Sequence, residues 1–151
     1  MSNLQLRRRI IGIDLGRARI GVAVSDELGM LAHPVETIPA NADAARRIGE
    51  IVREKNAERV VVGLPRHMNG SVGAGAIEAL AFVRKLQDLL SCEVVTWDER
   101  LTTTAANRAL RDSGRKARNS RSVVDQVAAQ MILQGYLDRV QPTGTPDATL
   151  S

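Results

Sequence analysis

Carboxylates in apolar surroundings are the first feature of this chain that could do chemistry. In "IIGIDLGRARIGVAVSD" (10–26), Asp14 follows Ile10, Ile11 and Ile13 in a run that reads as a buried strand. Glu99 lies in "WDERLTT" (97–103), directly after another apolar run. Asp125, in "RSVVDQVAAQMILQGYLD" (121–138), recurs at helical spacing with Ala128, Ala129, Ile132 and Tyr136, which puts it on the stripe of a helix that packs against a sheet. A carboxylate withdrawn from water without compensation is expensive. Hard divalent cations such as Mg²⁺ or Mn²⁺ prefer carboxylate oxygens, and acids from three separate elements can surround one or two of them. Two such ions ~3.5–4 Å apart activate water and stabilise the leaving oxygen in phosphodiester cleavage. In that arrangement Asp14 is the central metal ligand, and Glu99 and Asp125 complete the cage.

Each acid also has an ordinary explanation when taken singly. Asp14 could cap a turn or pair with Arg17 or Arg19, Glu99 could be a surface ion-pair residue, and Asp125 could bridge to Arg121 at the i, i+4 spacing. Their joint placement at one sheet edge is what favours the catalytic account. Basic residues supply a second line. "RDSGRKARNSR" (111–121) carries Arg115, Lys116, Arg118 and Arg121 beside the acids, where a phosphate backbone could be held. Arg17, Arg19 and Arg100 could serve the same end, although basic runs are usually only solvated. His33 reads as structural and Cys92 as a core residue opening a strand, while His67 could touch a substrate or simply occupy its loop. No His/Cys spacing suggests zinc.

The elements that must position these groups follow from periodicity. Strands are expected at 10–15, 20–25 and 30–38, separated by short turns, with Pro34 and Pro39 marking an edge strand or its ends. A helix is expected over 42–55, a strand buried on both faces at 59–65, and a helix over 70–90 capped by Ser71. A strand at 92–97 and helices at 101–112 and 123–140 complete the chain. A three-strand antiparallel meander followed by alternating helix and strand implies an α/β domain with a mixed five-stranded sheet flanked by helices. Strands one, four and five would be parallel and central, and their carboxyl ends form the crevice where a site belongs.

Composition agrees with one soluble domain. The chain has 151 residues, 44% hydrophobic and 25% charged, with a net charge of +4. Residues 1–140 are expected to form a single domain and 141–151, "QPTGTPDATLS", a disordered tail. Only 2% of residues are aromatic, which argues against a base-stacking platform for single strands. One cysteine excludes an intrachain disulfide and fits a reducing cytoplasm. No apolar run approaches a membrane span, and the residues after Arg7, Arg8 and Arg9 do not make a signal peptide.

"GIDLGRARIGVAVSD", "VVGLPRHMNGSVG", "DERLTTTAA" and "VVDQVAAQMILQGYLD" together resemble the four motifs of the YqgF-type (RuvX) family, over about residues 11–138. Proteins of that family are described as Holliday junction resolvases and as nucleases that process the 5′ end of pre-16S rRNA. The resemblance implies an RNase H-like fold, a monomer or homodimer in the bacterial cytoplasm with nucleic acid and ribosomal assembly factors as partners, and catalysis with Mg²⁺ or Mn²⁺. It assigns the catalytic acids to Asp14, Glu99 and Asp125, the three reached above. The chain departs from the family pattern at Ala18, where a Lys is common, and at Asn69, where an Asp is common. Neither position is a proposed metal ligand.

Two rival readings belong to other classes. "GIDLG" also opens ATP-binding phosphotransferase folds, but those close two such domains on the nucleotide and this chain has room for one. A noncatalytic nucleic-acid or ribosome-assembly module is the other, and a cluster of three acids would work against pure phosphate binding.

Overall fold

Three antiparallel strands open the structure, each short because a turn follows every seven or eight residues. β1 (Arg9–Leu15), β2 (Arg19–Ser25) and β3 (Ala32–Pro39) pair in sequence order, Ile13 opposite Val22 and Ile20 opposite Ile38. The structure is a computed structural model that describes residues 9–64, 73–99 and 121–140, without the side chains of residues 74 and 121–125. β3 begins two residues later than its apolar pattern suggests. Met30 and Leu31 are exposed and stand in the turn, where the Asp26 side chain accepts the Met30 N–H at 2.8 Å. Pro39 ends β3, which lies on the sheet edge where a missing N–H is harmless.

The chain then alternates. α1 (Ala44–Lys55) places Ala44, Ala45, Ile48, Ile51 and Val52 on its buried face and stops at Asn56, whose left-handed φ of 53° lets its N–H return to the Arg53 carbonyl. β4 (Ala57–Leu64) is buried almost throughout because it is covered on both faces. α2 (Ala74–Leu89) leads to β5 (Glu93–Asp98), and α3 (Arg121–Val140) follows. The sheet order is β3-β2-β1-β4-β5, with β1, β4 and β5 parallel. The mixed five-stranded sheet is thus the one expected from the sequence. One detail is corrected: β5 is parallel as expected but lies at the edge, because β1 and β4 occupy the centre.

The two sheet faces carry separate cores. Ile11, Ile13, Val22, Val60, Val62 and Val94 point toward α1 and α2, joining Ile48, Ile51, Val83 and Leu86. Ile10, Ala23, Val61 and Trp97 point the other way, where α3 covers them with Ala129, Ile132, Leu133, Tyr136 and Leu137. This alternation is the period-two pattern of a strand buried on both sides. The expected helix at 101–112, the basic segment 111–120, the cap at Ser71 and the tail 141–151 lie outside the described residues, as do His67 and Asn69.

Candidate active site at the carboxyl edge of the sheet

β1 places Asp14 by parity. Ile10 and Gly12 lie on the α3 face, so Asp14, two residues further, shares that face at the carboxyl end of the strand. It is half-buried, as is Glu99. Asp14, Asp98 and Glu99 each have a bonding or electrostatic partner in the fold.

Glu99 comes from the residue after β5, two strands away from β1 in the sheet order. Neighbouring strands lie about 4.8 Å apart, so the two backbones are separated by roughly 10 Å. The Glu99 side chain shortens that gap by folding back over β4. Its Oε2 lies 3.0 Å, and its Cγ 3.2 Å, from where a Cβ on Gly63 would stand. Gly63 is opposite Trp97 of β5, and it follows Val62, the residue paired with Ile13 of β1. Continuing that pairing one step sets Gly63 beside Asp14. The Glu99 carboxylate therefore sits about one strand spacing from the strand that bears Asp14.

α3 supplies the third element. Two contacts fix its direction: the Tyr136 hydroxyl accepts a hydrogen bond from Arg59 Nη1 at 2.7 Å near the start of β4, and Ile132 Cδ1 lies over Gly63 near its end. The helix therefore runs antiparallel to β4, and its N-terminus points to the carboxyl edge. Asp125 is seven residues before Ile132, about 10 Å further along the axis in that direction. Its side chain lies outside the described residues, so the structure gives the place of its backbone only. Among the described residues no three His, Cys, Asp or Glu side chains form a group able to hold a metal ion.

The helix is anchored at both flanks. Arg59 is shared between Tyr136 and Glu93, whose carboxylate lies 2.8 Å from the guanidinium, and Trp97 meets Tyr136 edge-on at 5.7 Å. On the other side Gln134 accepts the Ala32 N–H at 2.9 Å and donates to the Met30 carbonyl, while Gln130 donates to the Ala32 carbonyl. These contacts leave α3 little freedom to slide along the sheet, and so hold the axial position of Asp125.

Of the expected nucleic-acid contacts, Arg17 is exposed in the turn after β1 and Arg19 is half-buried at the start of β2, both within five residues of Asp14. Arg17 makes no ion pair with a described residue. Arg100, Arg115, Lys116 and Arg118 lie outside the described residues, and Arg121 is placed by its backbone at the start of α3. His33 is exposed on β3, away from the acids, and Cys92 is half-buried before β5 with its thiol held above its usual range by burial. The acid-centred reading overlooked Gly12 and Gly63. The signal was present, since each glycine interrupts an otherwise bulky apolar strand.

Comparison with known proteins adds an independent line. A protein from Acetivibrio thermocellus named "Putative pre-16S rRNA nuclease" is 47% identical over 134 residues, covering 86% of this chain and 95% of its own length. A protein of the same name from Nocardia farcinica is 50% identical over 141 residues, covering 87% and 78%. Among solved structures, Thermus thermophilus RuvC in complex with a Holliday junction superposes with a TM-score of 0.53 at 15% identity, covering 88% of this chain and 95% of that one. The fowlpox virus resolvase gives 0.52 at 8% identity, with 88% and 99% covered. At such identities the structures speak for the fold alone. The family model described as RuvX, Holliday junction resolvase, matches residues 8–139, and with relatives this similar over most of their length the chain belongs to that family.

Proposed function

We propose that this chain is a metal-dependent endonuclease that hydrolyses phosphodiester bonds, with Asp14, Glu99 and Asp125 as its catalytic acids and the 5′ end of pre-16S rRNA as its first substrate. The observation that carries the reading is the Glu99 side chain lying over Gly63, one step beyond the Ile13–Val62 pair and so beside the strand position of Asp14, with both acids half-buried. The names of the relatives favour precursor rRNA. The family description favours branched DNA as the second substrate to test.

The donor set fits a hard divalent cation. Asp14 and Glu99 offer only oxygen, from half-buried positions on separate elements. When bound, Mg²⁺ or Mn²⁺ would supply activation of water and stabilisation of the leaving oxygen. Asp14, Glu99 and Asp125 would be the residues that hold it. Arg17, Arg19, Arg100 and the basic residues of 111–121 would hold the phosphate backbone. The protein acts in the cytoplasm, as a monomer or homodimer, with ribosomal assembly factors as further partners. Support for this location comes from the single cysteine, which fits a reducing compartment.

The test is a cleavage assay on a precursor rRNA 5′-end fragment and on a four-way junction, with Mg²⁺ and with Mn²⁺. Cleavage is expected with metal and should vanish in EDTA. Full activity in excess EDTA would overturn metal catalysis. Tight binding without cleavage of either substrate would favour a noncatalytic module. Replacing Arg115, Lys116 and Arg118 with Ala should flatten the salt dependence of binding, by about 0.7–0.9 in log–log slope per lost phosphate contact. An unchanged slope would show that these residues are only solvated.

A further inference from the structure

Gly63 lies under the Glu99 side chain, one step beyond the Ile13–Val62 pair that precedes Asp14. The three residues before it, Val60, Val61 and Val62, are branched and fully buried. A Cβ at Gly63 would lie 2.6 Å from Ile132 Cδ1, 3.0 Å from Glu99 Oε2 and 3.2 Å from Glu99 Cγ. Contacts below 3.0 Å are essentially never made by real Cβ atoms. Gly12, on the same sheet face in the neighbouring strand, is the comparison. A Cβ there would meet Leu133 Cβ at 2.6 Å, the Ala129 carbonyl oxygen at 3.2 Å and Leu133 Cα at 3.4 Å. Gly12 therefore accommodates the helix alone, whereas Gly63 accommodates the helix and a carboxylate.

We infer that Gly63 is a positioning residue for Glu99, keeping open the volume over β4 through which the Glu99 carboxylate reaches toward Asp14. The inference rests on the reading of Glu99 as a metal ligand. The Gly63 backbone is ordinary extended strand without a left-handed φ, so alanine can adopt it and the effect of the substitution is steric. Two flexible ends face the added methyl. Ile132 Cδ1 can withdraw within the packing under α3. Glu99 can withdraw only by moving off β4, and that takes its oxygens away from Asp14.

The experiment separates these two responses. Gly63→Ala is compared with Gly63→Ala/Ile132→Val, in which the Cδ1 atom is removed, with Ile132→Val as control and with Glu99→Gln. Melting temperature is measured without metal, and Mg²⁺ and Mn²⁺ affinities are measured by calorimetric titration alongside cleavage. Gly63→Ala should lower both the melting temperature and the metal affinity. The double variant should recover the melting temperature while its metal affinity stays about 10- to 100-fold weaker, the range seen when a residue that orients a ligand is changed. Recovery of metal affinity together with stability would overturn the inference, leaving Gly63 as a packing glycine. No recovery of stability would overturn the steric account itself. If Glu99→Gln binds metal as tightly as the unsubstituted protein, the reading of Glu99 has failed, and the inference falls with it for that distinct reason.

Discussion

The two faces of the sheet are built for different ends. The buried core under α1 and α2 is aliphatic, with Ile11, Ile13, Val60 and Val62 meeting Ile48, Ile51 and Leu86 at zero exposure and Phe82 at its margin. The face under α3 carries a smaller core with a Trp–Tyr contact and two glycines, and it ends in carboxylates. Among the described residues one helix covers it where two cover the other, and at its carboxyl edge Asp14 and Glu99 are half-buried. A face closed by two helices maximises burial. On the face under α3, Gly12 and Gly63 let the helix approach the sheet closely, and Asp14 and Glu99 lie at its carboxyl edge. If the proposed acids are catalytic, the contrast places stability chiefly on one side and chemistry on the other.

Adjacent residues of β1 give the sharpest way to break that contrast. Asp14→Asn should abolish cleavage at constant volume while changing the metal-free melting temperature far less than a core truncation does. Added Mg²⁺ should raise the melting temperature of the unsubstituted protein more than that of the variant. Ile13→Ala, one residue away on the other face, should cost about 2–5 kcal/mol in stability from the lost burial and the cavity. Its folded fraction should still cleave. A stable Ile13→Ala protein with no activity, or an active Asp14→Asn protein, would dissolve the division between the faces.

Gly12→Ala probes the α3 face at intermediate size. The added methyl meets Leu133 Cβ and backbone atoms of the helix, which cannot retreat as a side-chain tip can. Overpacking of this kind costs about 1–3 kcal/mol. If α3 is displaced at this point, cleavage should fall with stability, since Asp125 moves with the helix. Loss of stability with full activity per folded molecule would show that the spacing of helix and sheet at Gly12 is irrelevant to the site.

The smallest effect is expected at the rim of the α1 face. Arg47 holds Glu36 of β3 by two hydrogen bonds of 2.7 and 2.9 Å and also reaches Glu50 at 3.0 Å. The hydrogen bonds to Arg47 hold the Glu36 carboxyl below its ordinary value, against the opposing effect of burial. A lowered carboxyl contributes stability that is complete above the unfolded value of 4.5 and is lost as pH falls through the folded one. Arg47→Ala should therefore cost about 1 kcal/mol at neutral pH, a modest figure because a third of each side chain is exposed. The deficit relative to the unsubstituted protein should shrink below about pH 4 as that protein loses its own contribution. Stability curves by urea unfolding at pH 7 and pH 3 check this, and cleavage at neutral pH should not change.

Most elements of the fold were legible because their periods are clean. The strand at 59–65 announced two-sided burial by lacking any polar alternation, and α1 by its spacing of Ile48, Ile51 and Val52. Met30 and Leu31 were less legible, because an apolar residue in a turn cannot be told from one in a strand until the turn's hydrogen bonds are known. Strand order was out of reach for the same local reason, so β5 was expected in the centre and found at the edge.

The sequence by itself determined which residue types could do chemistry, which face of β1 carries Asp14, and the mixed sheet that follows from a meander and two crossovers, because side-chain identity, strand parity and crossover rules are properties of the local chain. Only the tertiary structure decided that Glu99 folds back over β4, that Gly63 is the empty place it occupies, and that α3 runs antiparallel to β4 with its N-terminus at the acids. Those are relations between elements far apart in the chain, fixed by packing distances that no local pattern encodes.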